Sequence, residues 1–377
     1  MRRLFFNPFL LIFVIPIYIG WRLIGALPLG SLGSVAAAAV LALTCFLVPA
    51  SWQARRWANR RAADRISLLG STAMSILSTL FALTVLRDVA LPLIRLIGSP
   101  ELEQAFAPWS EIIVLALTLL ITLVGFVVAL RPRLVEIDIP VTKLPEALRG
   151  FSIAQISDVH VGPTIKRSFV ERIVERVNAL NADLIAVTGD LVDGSVKDLA
   201  IETAPFANLR ARHGTFFVTG NHEYYSGERA WTQELRRLGM RVLKNEHVVV
   251  QHEGAALVVA GVTDVSAHHF NAAERSDPNA ALRGAPKGAA KLLLAHQPSS
   301  AAAAAQAGFD VQLSGHTHGG QFWPWNLLIG FFQPFTGGLN RLQDLWVYVN
   351  RGTGYWGPPN RFGVPSEITR IRLVPAS

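Results

Sequence analysis

Four membrane-spanning helices followed by a cytoplasmic α/β domain is the architecture this sequence predicts, and three observations predict it. Four apolar runs lie in the first third of the chain, arginines gather in alternate loops between them, and beyond residue 150 short buried-type strands alternate with polar loops and helices. The composition agrees. Of 377 residues, 51% are hydrophobic and 16% charged, and mean hydropathy is +0.34, a balance that leans toward a membrane protein.

The apolar runs are residues 4–24, 32–49, 66–86 and 112–130, each close to the roughly 20 residues of helix that cross a bilayer core. A cleaved signal sequence does not account for the first run, which lacks a small-residue cleavage site and is followed by three more. Arg2 and Arg3 precede the first run; Arg55, Arg56, Arg60, Arg61 and Arg65 lie between the second and third; Arg131 and Arg133 follow the fourth. The alternate loops hold only Arg22, Arg87 and Arg95. Short basic loops stay cytoplasmic, so both ends of this region, and everything after it, are expected inside. The formal charge of +8 therefore reads as topology, with arginines resting on anionic headgroups. Nucleic-acid binding would need basic and aromatic residues spread over the soluble part, and is not expected. The one cysteine, Cys45, lies in an apolar run and leaves no intramolecular disulfide or cysteine metal site. Residues 1–133 are expected to form a four-span anchor in the lipid bilayer, 134–146 a linker entered through a strand, and 147–375 the α/β domain.

Within that domain "FVERIVERVNAL" (residues 169–180) has the apolar spacing of an amphipathic helix. The strand-like runs share another property. "FSIAQIS" leads to Asp158, "DLIAVTG" to Asp190, "GTFFVTG" to Asn221, "KLLLA" to His296 and "FDVQLSG" to His316. Each ends at a potential metal ligand, and in α/β folds ligands collect beyond the carboxyl ends of strands. Five fragments carry the chemistry: "SDVHVG" with Asp158 and His160, "GDLVDG" with Asp190 and Asp193, "GNHEY" with Asn221 and His222, "AHQP" with His296, and "GHTHGG" with His316 and His318. This mixed oxygen and nitrogen set suits first-row divalent ions such as manganese, iron or zinc; calcium or magnesium would not call for so many imidazoles. A lone histidine would read as structural, but seven potential ligands at strand ends reverse that. His213, His247, His252, His268 and His269 fall in no motif and are read as structural or surface residues. Glu223, beside His222, is read as an acceptor that shapes the loop.

The five fragments, in this order, resemble the calcineurin-like metallophosphoesterase superfamily over about residues 147–375. The resemblance implies a two-sheet β-sandwich flanked by helices, two divalent metal ions, and hydrolysis of a phosphoester or pyrophosphate bond. Carried over motif by motif, it implies that Asp158, His160 and His318 hold one ion, that Asn221, His296 and His316 hold the other, and that Asp190 bridges them. It implies His222 as the proton donor to the leaving oxygen, with Asp193 orienting its imidazole. In the protein serine/threonine phosphatase branch an arginine follows the second aspartate of the second motif. Here Gly194 follows Asp193, which argues against a protein phosphatase.

The four-span beginning, "GHTHGGQ" and the late "NRGTGYWGPPNRFGVPSEIT" (residues 350–369) are similar to membrane-anchored metallophosphoesterases, including the branch related to UDP-2,3-diacylglucosamine hydrolases of lipid A synthesis. The implied substrate is phosphorylated and lipid-linked. Arg351 and Arg361 are candidates to clamp its phosphate, with a surface ion pair or a loop-fixing hydrogen bond as the other reading of each. "FWPWNLLIGFFQPF" (residues 322–335) is too short and too broken by proline for a fifth span. Its Phe322, Trp323, Trp325, Phe331 and Phe332 are expected to form a lip at the membrane interface. Two readings stay open beside this one: a tethered phosphodiesterase acting on soluble substrates, and a non-catalytic membrane sensor or scaffold. A transporter is disfavoured, because the spans hold few ionisable groups of the kind that mark ion pathways.

Overall fold

The computed structural model describes residues 8–54, 57 and 59–376. Arg2, Arg3, Arg55 and Arg56, and residues 4–7 of the first expected span, lie outside them. The described chain forms two units: one runs to Val127 and takes in Gly357–Phe362, the other comprises Val128–Trp356 and the residues from Gly363 on.

The first unit is helical. It holds α1 (Pro8–Ile19), continued by a π turn over Gly20–Ile24, then α2 (Gly30–Gln53), α3 (Arg60–Ile97) and α4 (Pro100–Ala129). Four helices lie over the four expected spans, but among the described residues only α2 and α4 are long and apolar enough, by length and composition, to cross a membrane. α1 is shorter, and in α3 Ser67, Ser71, Ser75 and Thr79 recur every four residues and are all buried. That spacing puts the hydroxyls on one helix face, directed at protein. On the same helix a Cβ at Gly70 would lie 2.4 Å from the Leu47 carbonyl oxygen and 2.5 Å from Ser51 Cβ. Small residues let α2 and α3 approach this closely, as in membrane helix pairs.

Paired charges lie at the ends of the expected spans. Arg22 Nε and Nη2 donate to Asp88 Oδ2 and Oδ1 at 2.6 and 2.8 Å, and the Tyr18 hydroxyl donates to Asp88 Oδ2 at 2.6 Å. Arg87 donates to Asp88 Oδ1 at 2.9 Å, to Ser110 Oγ at 2.8 Å and to Glu111. Two cations and two anions pair within one network, as apolar surroundings require. The segment Gly357–Phe362 joins this unit through Asn360 Nδ2, which donates to Ser75 Oγ at 2.9 Å, and through the Arg361 N–H, which donates to the Gly125 carbonyl at 3.0 Å.

The second unit contains, in order, β1 (Arg133–Val141), β2 (Ser152–Ile156), α5 (Arg167–Asn178), β3 (Leu184–Val187), α6 (Val196–Thr203), β4 (Thr215–Phe217), α7 (Asn221–Ser226), α8 (Glu228–Arg237), β5 (Met240–Val242), β6 (Glu246–His252) and β7 (Ala255–Gly261). There follow α9 (Pro278–Ala281), β8 (Ala290–Leu294), α10 (Ala301–Ala307), β9 (Val311–Ser314), α11 (Trp325–Leu328), β10 (Gly338–Leu342), β11 (Leu345–Val349) and β12 (Glu367–Pro375). They build two six-stranded sheets, ordered β1-β12-β2-β3-β4-β5 and β10-β11-β9-β8-β7-β6. The stretch expected to be a linker, residues 134–146, is mostly β1, an edge strand paired in parallel with β12 from Arg133–Glu367 to Val141–Pro375.

Period-two alternation splits each sheet between two cores. On β2, Ile153 joins the apolar layer between the sheets with Leu184, Phe216, Leu292 and Leu313. Its neighbours Ala154 and Ile156 face outward to Val170 and Ile173 of α5 and Trp231 of α8. The second sheet is covered on its outer side by α10, where Leu293 and Val347 meet Ala301 and Ala304. This is the α/β sandwich of two mixed sheets flanked by helices. In the first sheet β2, β3 and β4 are parallel, and in the second β8 and β9 are, so their carboxyl-end loops can meet.

Candidate metal centre

Five of the residues at those strand ends hold a backbone conformation that side chains ordinarily avoid. Asp158, His160, Asp190, His316 and His318 have φ of 53°, 55°, 52°, 71° and 50°. Each such left-handed residue costs about 1–3 kcal/mol, and such strain collects at functional sites. Two glycines make the convergence possible. A Cβ at Gly220 would lie 2.1 Å from Asp190 Oδ1, and one at Gly315 would lie 2.2 Å from Asp158 Oδ2. Any larger residue would push the loops apart.

The donors fall into two groups able to hold a metal ion, Asp158–His160–His318 and Asp190–His296–His316. In the first, His160 Nε2 stands 3.1 Å from His318 Nε2, and His318 Nε2 stands 3.5 Å from Asp158 Oδ1. In the second, His296 Nε2 is 3.1 Å from Asp190 Oδ2 and 3.2 Å from His316 Nδ1. Asp190 Oδ2 also lies 4.0 Å from His160 Nε2, between the two groups. Asn221 Oδ1 is buried without a hydrogen-bond partner, a costly state for a polar atom unless something else binds it. Converging imidazole lone pairs, carboxylates and an orphaned amide oxygen fit divalent cations.

Neighbouring groups fix the tautomers. His296 Nδ1 donates to the Thr188 carbonyl at 2.7 Å, which turns the Nε2 lone pair inward. Asp193 Oδ1 lies 3.2 Å from His160 Nδ1 and 2.5 Å from His222 Nδ1. It thus orients one ligand and the neighbouring imidazole together. Asp193, His160 and His222 also cluster closely enough to suggest a third ion, but with both Nδ1 atoms directed at Asp193 the hydrogen-bonded reading is the better one.

Burial opposes a charge on His222, yet the Asp193 hydrogen bond and the charges of Asp190 and Asp193 outweigh it and hold the imidazolium pKa up to about 9. Burial likewise opposes ionisation of Asp193, and His160 and His222 hold its carboxyl well below the usual range all the same. Burial and the adjacent His296 push His316 down to about 3, which leaves the neutral form that binds metal. At His296 the order reverses. Burial is outweighed by Asp190, which draws a proton onto the ring, a charge that a cation would replace.

Glu223 is fully buried, and its carboxylate accepts the N–H groups of Asp190 at 2.9 Å, Leu191 at 2.8 Å and Gly220 at 2.7 Å. It is the loop-shaping acceptor expected. The motif-free histidines also have structural partners: His213 Nε2 and His252 Nδ1 lie 2.9 Å apart around Phe151, and His247 Nδ1 reaches the Ala281 carbonyl at 2.7 Å. The centre has members that sequence reasoning missed. The His222 ring makes edge contacts with Tyr225 and Trp356, at centroid distances of 5.3 and 5.7 Å, and both aromatics are exposed. Gln321 holds Trp356 in place by accepting its N–H at 2.8 Å and donating to its carbonyl at 2.9 Å. The glutamine that closes "GHTHGGQ" was the available signal.

The two arginines differ in access. Arg361 is fully buried and belongs to the helical unit, so its guanidinium has no access to a phosphate. Arg351 Nη1 donates to the buried Glu367 at 3.3 Å, while its side chain stays about a third exposed. Phe322 is only 5% exposed and is packing, not lip, and Trp323 is half-buried. Trp325, Leu327, Leu328, Phe331 and Phe332 are exposed, the last two by 81% and 78%.

Comparison with known proteins points the same way as this geometry. Residues 151–320 match the calcineurin-like phosphoesterase family. The chain is 38% identical over 290 residues to a transmembrane protein with metallophosphoesterase domain from Danio rerio, covering 74% of this chain and 66% of that one. It is 39% identical over 248 residues to an uncharacterized metallophosphoesterase of Helicobacter pylori, covering 65% of each. It is 31% identical over 243 residues to one from Aquifex aeolicus, covering 64% of this chain and 91% of that one.

Proposed function

The chain belongs to the calcineurin-like phosphoesterases, and from that premise we propose a membrane-anchored hydrolase that cleaves a phosphoester or pyrophosphate bond with two divalent ions. The observation that carries this reading is the pair of donor groups with Asp190 Oδ2 between them. Asp158, His160 and His318 would hold one ion, Asn221, His296 and His316 the other, and Asp190 both. When bound, such ions supply Lewis acidity and the positive charge that stabilises an in-line displacement at phosphorus.

The chain's own groups do the rest. Asp193 takes the Nδ1 side of His222, so Nε2 is the atom left to give a proton to the departing oxygen. Water adds to phosphorus, the bond to the leaving oxygen breaks, and that oxygen takes the His222 proton. Tyr225 and Trp356 wall the imidazole and shield its proton from bulk water.

We extend the reading to a lipid-linked substrate such as UDP-2,3-diacylglucosamine, and to four spans with the metal centre on the cytoplasmic side. The exposed apolar side chains of α11 and the turn after it support the first, since contiguous apolar patches mark membrane or ligand contacts. Two things support the second. Arginines fill alternate loops, and the Arg22–Asp88–Arg87–Glu111 network ties the end of the first apolar helix, the later part of α3 and the early part of α4 to one level. Antiparallel spans would bring those points together.

The test is a turnover screen of metal-reconstituted full chain in detergent against UDP-2,3-diacylglucosamine, its short-chain analogue, a phosphomonoester and a phosphodiester. Preference for the long-chain substrate supports the full reading, and equal rates on the analogue favour soluble substrates. No turnover of any substrate by metal-loaded protein would leave the sensor or scaffold reading instead.

A further inference from the structure

The chain leaving α4 runs straight into a basic cavity. Arg131 follows α4 by two residues, and with Arg172 and Arg176 of α5 it lines a cavity of about 610 Å³ whose apolar wall includes Leu130, Phe169 and Ile173. No aspartate or glutamate lines it.

The helix pattern explains why both chemistries meet there. Arg172 and Arg176 are four residues apart on α5, as are Phe169 and Ile173, so a cationic row runs beside an apolar one. Phe169 and Ile173 are buried, while Arg131, Arg172 and Arg176 are exposed. The Arg172 guanidinium lies 5.5 Å from the Phe169 ring centroid, its stem resting on the apolar row. Arg176 Nη1 donates to the Pro132 carbonyl, which pins this face of α5 to the chain just past α4. Each residue of chain reaches at most about 3.6 Å, so Arg131 stays within about two such lengths of Ala129, the last residue of a helix able to cross a bilayer. That is the depth of lipid headgroups when α4 spans.

We propose that this cavity binds the headgroup of an anionic phospholipid, with guanidinium forks on the phosphate and the apolar wall against the glycerol and upper acyl region. Clusters of arginine at the cytoplasmic end of a membrane helix attract such lipids, and the apolar wall selects a lipid over a free phosphate. The inference rests on the membrane half of the proposed function and is independent of the hydrolytic half.

The test is native mass spectrometry of full chain supplied with phosphatidylglycerol and phosphatidylcholine in equal amounts. Wild type should retain phosphatidylglycerol over phosphatidylcholine by about tenfold or more. The triple variant Arg131→Gln, Arg172→Gln, Arg176→Gln should lose that preference to within about twofold. The corresponding triple lysine variant should keep most of it, which separates lost charge from lost fold. Unchanged preference in the glutamine variant would overturn the proposal, as would displacement of bound lipid by millimolar inorganic phosphate. Carbonate extraction of membranes is the companion measurement. Release of the chain would overturn the membrane reading together with this site, whereas retention with an unchanged lipid preference overturns the site alone.

Discussion

Asp190 sits where the two donor groups meet, with one carboxylate oxygen facing His160 and His296 and the other accepting the His222 N–H at 2.8 Å. Asp190→Asn keeps the volume and can keep that hydrogen bond, but removes the anion between the two proposed ions. Turnover should fall by more than the roughly 10–100-fold that outer-shell changes cost, with thermal unfolding and circular dichroism near wild type; near-normal activity would sink the metal assignment. Asp193 makes a different prediction because it touches no proposed ion. In the proposed reaction His222 acts in its protonated form, so activity should be present below its pKa, held up to about 9, and lost as pH rises through it. In Asp193→Asn the supporting charge is gone, so the alkaline limb of kcat/KM should move to lower pH, with kcat down about 10²–10⁴-fold. An unmoved limb would mean that another group supplies the proton. The candidate ligands are legible in the sequence, since each lies in a short motif just beyond a strand. Gln321 and Trp356 were not, because their mutual grip spans 35 residues of chain and exists only once the loops have folded together.

Helices and strands were legible where their own pattern is strong, as in α5, whose buried Phe169, Val170, Ile173, Val174 and Val177 form one face. β1 is hard to tell from a linker in the sequence because only two of its nine residues are buried and its partner β12 lies more than 230 residues away; an edge strand has little local pattern to show. In α3 the buried hydroxyl face of Ser67, Ser71, Ser75 and Thr79 stays hidden inside an apolar average. The turn from α11 through Phe332 was read as a lip, and its exposed Trp325, Phe331 and Phe332 leave that reading testable. Replacing all three by serine should raise KM for a long-chain substrate about tenfold or more, from lost apolar contact of a few kcal/mol, and leave a small phosphodiester within about twofold. Equal losses on both substrates would show that these side chains support the metal loop and do not meet lipid.

Topology joins the local features into one claim about the molecule. If the arginine pattern sets four spans with both ends inside, the start of α4 faces the opposite side of the membrane from the metal centre. The chain offers a clean way to ask, because Cys45 is its only cysteine. In a Cys45→Ala background, Glu101→Cys at the exposed start of α4 and Lys197→Cys on exposed α6 place single thiols on either side of the proposed crossing. In intact cells a membrane-impermeant maleimide should label Glu101→Cys, and should label Lys197→Cys only after permeabilisation. Labelling of both in intact cells would put the metal centre outside, where a cytoplasmic lipid precursor could not reach it. Protection of both would mean that α4 does not cross, and would remove the basis for placing the arginines of α5 at a lipid headgroup.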